Sequence, residues 1–65
     1  MTTHIQLYRA RRDHARLSLL VRMEQAGRRP DPARLADLKK RRLEAKDRIA
    51  RFEAVIAAST RSAFA

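Results

Sequence analysis

Cysteine and tryptophan are both missing from this chain, and its 65 residues include only one Gly, two Pro, one Tyr and two Phe. Without Cys there is no disulfide staple, no thiolate metal site and no Cys nucleophile, so stability has to come from packing. The scarcity of Gly and Pro leaves few places where a helix could be broken. Acidic residues are scarce too: seven Asp and Glu face sixteen Lys and Arg, for a net charge of +9. No apolar run approaches the roughly 18 residues of a membrane span, and the N-terminus lacks the apolar stretch of a secretory signal, so the expected setting is soluble and cytoplasmic.

The three strong punctuators, Gly27, Pro30 and Pro32, fall together and divide the chain into segments of similar length. Gly27 suits a left-handed helix end, Pro30 biases Arg29 away from helix, and Asp31-Pro32 reads as an N-cap followed by Pro at the first helical position. Thr3 with Gln6 resembles a capping box. These signals predict a single domain over 1–65, with helix 1 over about 4–26, a turn over 27–31, helix 2 over about 32–58 and a flexible tail over 59–65.

Spacing defines the inner faces of these helices. Leu7, Ala10, His14, Leu17, Val21 and Glu24 alternate steps of three and four, as do Leu35, Leu38, Arg42, Ala45, Ile49, Phe52 and Ile56. This is a coiled-coil seam with one Arg in it. Folding at the turn sets Val21 near Leu38, Leu17 near Arg42, His14 near Ala45, Ala10 near Ile49 and Leu7 near Phe52, with no register conflict. The expected fold class is all-α, an antiparallel two-helix hairpin. Apolar residues are left over: Leu19, Leu20 and Met23 widen the apolar surface of helix 1, while Ala36, Leu43, Ala50 and Ala57 recur every seven residues beside the seam of helix 2. A helix apolar nearly all round needs more than one neighbour, and so short a chain buries a small share of its surface. Both points predict a homo-oligomer, a dimer or tetramer of hairpins.

The strings Leu35-x-x-Leu38-Lys39-Lys40-x-x-Leu43-x-x-Lys46-Asp47-x-Ile49 and His14-x-x-Leu17-x-x-x-Val21 resemble the YdcH-like family of very small bacterial proteins, a domain of unknown function. The resemblance covers about Asp13 to Phe52. Arg42 stands where Lys is common in that family and Ala45 where a larger apolar residue is common, which thins the seam opposite His14. The resemblance implies a helical hairpin without catalytic residues or a cofactor.

Candidate chemistry is sparse. Arg9, Arg11, Arg12 and Arg16 on helix 1, with Lys39, Lys40, Arg42 and Lys46 on helix 2, form the one strong functional candidate. If they approach one another across the hairpin, they make a salt-sensitive surface for an anion or for nucleic acid. Against that, Asp37 with Arg41, Glu44 with Arg48 and Asp47 with Arg51 are favourable i,i+4 pairs that neutralise part of the charge. Base-specific reading is not signalled, since the chain has no Asn.

A lone seam His14 reads as packed rather than metal-bound, and Arg42 as a stem lying on Leu17 with its guanidinium in water. Tyr8 and Phe52 read as core fillers. Asp37, Glu44 and Asp47 lack a cleft for acid–base work, and Ser59, Thr60 and Ser62 lack a base, so neither an enzyme nor a cofactor or metal site is expected. The expected function is a helical interaction or assembly module whose partner is a second copy or a larger protein assembly. A non-specific nucleic-acid binder is the alternative, and a peripheral membrane-surface binder is third.

Overall fold

The computed structural model describes the backbone of residues 2–64 and the side chains of residues 2–61. It consists of two helices, α1 (Thr2–Ala26) and α2 (Pro32–Phe64), folded against each other into an all-α antiparallel hairpin about 55 Å long and 14 Å across.

Periodicity explains the pairing. Among the described residues Leu7, Ala10, Val21, Leu38 and Ala45 are the buried apolar ones, and all five lie on the seam. His14, Leu17, Leu35, Arg42, Ile49, Phe52 and Ile56, also seam residues, are half-buried. One contact layer between two helices has no second layer behind it, so no large side chain among the described residues is wholly enclosed.

The turn follows local chemistry. Asp31 Oδ1 accepts hydrogen bonds from the backbone N–H groups of Ala33 at 3.0 Å and Arg34 at 3.3 Å, capping the first turn of α2, while the Asp31 carbonyl accepts from Leu35 at 2.9 Å. Pro32 opens the helix, where its missing N–H costs nothing. Gly27 departs from expectation: no described residue has a positive φ. Instead the Gly27 N–H donates to the Glu24 carbonyl at 3.3 Å, a tightened last turn that leaves the chain right-handed.

The helix ends also differ from the sequence reading. α1 begins at Thr2, so Thr3 lies inside the helix, half-buried, and makes no capping hydrogen bond among the described residues. α2 continues to Phe64 instead of stopping near residue 58, so the segment read as a flexible tail is helical over 59–64, and residue 65 lies outside the described residues. The physical reason is that nothing in Ser59-Thr60-Arg61-Ser62-Ala63 breaks a helix. Thr60 accommodates itself by donating its hydroxyl to the Ile56 carbonyl at 3.0 Å. Thr2, Thr3 and His4 pack beside Val55, Ile56, Ser59 and Thr60, which supports the first part of this extension.

Candidate interaction surfaces

The hairpin presents two edges, each a shallow open groove along the seam. One, of about 290 Å³, is lined by His14, Ser18, Lys39, Arg42, Leu43 and Lys46. The other, of about 430 Å³, is bordered by Asp13, Arg16 and Leu20 of α1 and by Arg41, Glu44 and Arg48 of α2, with seam residues at its floor. Arg9, Arg12 and Arg16 gather with Asp13 on α1 itself. The two basic groups read from the sequence are therefore separated. Lys39, Arg42 and Lys46 flank one edge, whereas Arg16 borders the other and Arg9 lies on that side beside Arg48 and Phe52; Arg12 and Lys40 are exposed away from the seam. Seven-residue spacing keeps Lys39 and Lys46 on one edge and Arg9 and Arg16 on the other, so these two groups do not form a single band.

Ion pairing follows tertiary placement more than local spacing. Asp37 pairs with Arg41 at 3.1 Å, as its i,i+4 spacing implies. The Glu44–Arg48 and Asp47–Arg51 pairs do not form among the described residues. Two cross-helix contacts appear instead, Arg11 with Glu53 at 3.7 Å and Glu24 with Arg34 at 3.4 Å. Arg11 is the member of the α1 set on the Lys39–Lys46 edge, and Glu53 occupies it. Lys39, Lys40, Arg42 and Lys46 have no ion-pair partner among the described residues.

The apolar residues left over from the seam are on the surface. Leu19, Met23 and Leu43 are 56%, 61% and 59% exposed. Ala36, Ala50 and Ala57 are exposed as well, and Leu20 is half-buried beside its groove. Ile5, Tyr8 and Val55 join them, each about half exposed or more, and sequence reasoning did not place these on the surface. Tyr8 in particular is no core filler. Its place one step beyond Leu7 turns it outward, and the Arg12 guanidinium lies 5.9 Å from the centre of its ring. The signal was in the register: Ile5, Tyr8, Arg12 and Leu19 recur at helical spacing on the side of α1 opposite the seam.

Among the described residues no three His, Asp or Glu side chains cluster closely enough to hold a metal ion. No helix is long and apolar enough to cross a membrane.

A hairpin of two long helices with open edges and uncovered apolar side chains belongs to the class of small helical domains. Within that class, residues 7–53 match the model of a family described as proteins of unknown function, DUF465, and the chain is a member of that family. No curated protein and no solved structure matches it.

Proposed function

We propose that this chain is a cytoplasmic, non-enzymatic assembly module that associates with copies of itself through helix-on-helix contacts, and that its family is the YdcH-like one resembled by the Leu38-Lys39-Lys40 and Lys46-Asp47-x-Ile49 strings. The observation that carries the self-association is the set of large apolar side chains, Leu19, Met23 and Leu43 foremost, that remain in solvent although the seam is already closed. Leu19 and Met23 are one turn apart on α1, and exposed apolar side chains grouped in this way support an interaction site.

Surface area supports the same reading. The chain exposes 5568 Å². A compact folded monomer of 7.5 kDa exposes about 4,200 Å². The excess, about 1,300 Å², is what one partner contributes to a permanent homodimer. Sedimentation at low micromolar concentration tests the reading: a dimer or larger species is expected, and a well-folded monomer refutes it.

The second reading is a non-specific nucleic-acid binder, favoured by the groove that brings Lys39, Arg42 and Lys46 together without an acidic partner among the described residues. It requires duplex binding near 50 mM salt that weakens steeply as salt is added. It also requires that replacing Lys39, Lys40 and Arg42 by Gln reduce that binding.

A further inference from the structure

The two grooves along the seam differ in charge balance. In the larger one Asp13 and Glu44 sit among Arg16, Arg41 and Arg48. In the smaller one Lys39, Arg42 and Lys46 are joined by His14, Ser18 and Leu43, and no acidic side chain lines it. The three cations occupy successive turns of α2 at steps of three and four residues, the spacing at which like charges repel one another. A rise of about 1.5 Å per residue spreads them over about 10 Å of the helix. Lys39 and Lys46 are exposed, whereas Arg42 is half-buried at a seam position, where a polar residue costs stability. Across the groove Ser18 of α1 is half-buried too, and its hydroxyl has no hydrogen-bond partner among the described residues. Repulsion that no acid offsets, an Arg in the seam and an idle hydroxyl meet in one place, and an anion seated there answers all three.

We propose that this groove binds a linear oligophosphate, a run of two or three phosphoryl groups lying along α2 from Lys39 to Lys46. Arg42 offers a planar fork that takes two oxygens of one group, and the Lys ammonium groups act on either side of it as point charges. Ser18 through its hydroxyl and His14 through a ring N–H donate from the α1 wall. Because Lys39 and Lys46 are two turns apart, a chain of groups engages both better than one phosphate does. No Phe, Tyr or Trp lines the groove, so a base finds no stacking partner there and recognition stops at the phosphoryl chain. A free inorganic chain and the tail of a nucleoside triphosphate offer the same chemistry. Both helices contribute, so the bound anion ties α1 to α2 and stabilises the hairpin. The site shares its lysines with the nucleic-acid reading above and does not depend on it, since a duplex need only track the exposed charges.

Calorimetric titration with inorganic tripolyphosphate at about 0.15 M chloride tests the site, where exposed charges are largely screened. Saturable binding of one anion per hairpin is expected, with a rise in Tm at constant ionic strength. Adenosine triphosphate should bind within about threefold of tripolyphosphate, and adenosine should not bind. Lys39→Gln and Lys40→Gln remove the same charge from adjacent positions, but only Lys39 lines the groove. Lys39→Gln is expected to weaken binding about tenfold and Lys40→Gln less than about twofold. Ser18→Ala leaves the charge unchanged and should weaken binding about fivefold through the lost hydrogen bond. Far-UV circular dichroism reports whether each variant is helical. Wild-type protein that does not bind tripolyphosphate overturns the site, and so does an equal loss from Lys39→Gln and Lys40→Gln or full affinity in Ser18→Ala. Duplex binding by a protein that ignores tripolyphosphate overturns the site and leaves the nucleic-acid reading standing.

Discussion

Glu24 holds the turn closed from the far side: its Oε1 accepts the Asp31 backbone N–H at 3.0 Å, seven residues away, while its Oε2 faces Arg34 Nε at 3.4 Å. The side chain is 22% exposed, well shielded for a carboxylate. Asp31 in turn caps α2, so the last residues of one helix and the first residues of the next form one hydrogen-bonded unit.

Removing the clasp should therefore loosen the hairpin at its closed end. Glu24→Ala is expected to cost about 1 kcal/mol, since it deletes a hydrogen bond to a charged acceptor and one partly exposed ion pair. Glu24→Gln keeps an acceptor for the Asp31 N–H and should recover part of the loss. Thermal melts followed by circular dichroism at fixed protein concentration make the comparison, and a Glu24→Ala melt identical to the wild type contradicts the clasp.

The two turn residues should behave oppositely. Asp31→Ala removes the cap and is expected to destabilise by about 0.5–2 kcal/mol. Gly27→Ala should be neutral or stabilising by up to about 1 kcal/mol, because Gly27 has no positive φ. A Cβ there meets nothing nearer than the Glu24 carbonyl at 3.4 Å. A large loss on Gly27→Ala shows that the turn needs the left-handed conformation after all.

Seam substitutions measure how closely the thin core is packed. Leu38 is 7% exposed, and Leu38→Ala is expected to cost about 2–5 kcal/mol by urea denaturation. Ala45, at 3%, sits at the level of His14. Ala45→Leu is expected to destabilise by about 1–3 kcal/mol through overpacking. A gain instead shows that the seam has unused room opposite His14.

If folding and association are linked, stability must depend on concentration. The apparent Tm is expected to rise with protein concentration, because mass action favours the associated native state. A Tm unchanged over a hundredfold range of concentration argues for a hairpin that is stable alone.

Much of this architecture was legible because it is written in short-range chemistry. The Asp31-Pro32 start and the alternating steps of three and four through Leu7 to Glu24 and Leu35 to Ile56 depend only on backbone geometry and on side chains a turn apart. The excess of Leu19, Met23 and Leu43 was legible for the same reason. Tyr8 was misread because a single aromatic was judged by its type and not by its register. The helical run over 59–64 was misread because small polar residues were taken as a break when none of them interrupts backbone bonding.

What the sequence determined by itself is the pair of helices, the place where the chain reverses and the residues that face inward, since helical periodicity is a local property. Only the tertiary structure decided which charges meet. Glu53 has no mark that assigns it to Arg11, nor has Glu24 one that assigns it to Asp31 and Arg34; those partners become neighbours only after the turn has brought the helices together. Local i,i+4 pairing competes with such cross-helix contacts at nearly equal free energy, so placement chooses between them. That choice leaves Glu44 and Asp47 without an ion-pair partner among the described residues.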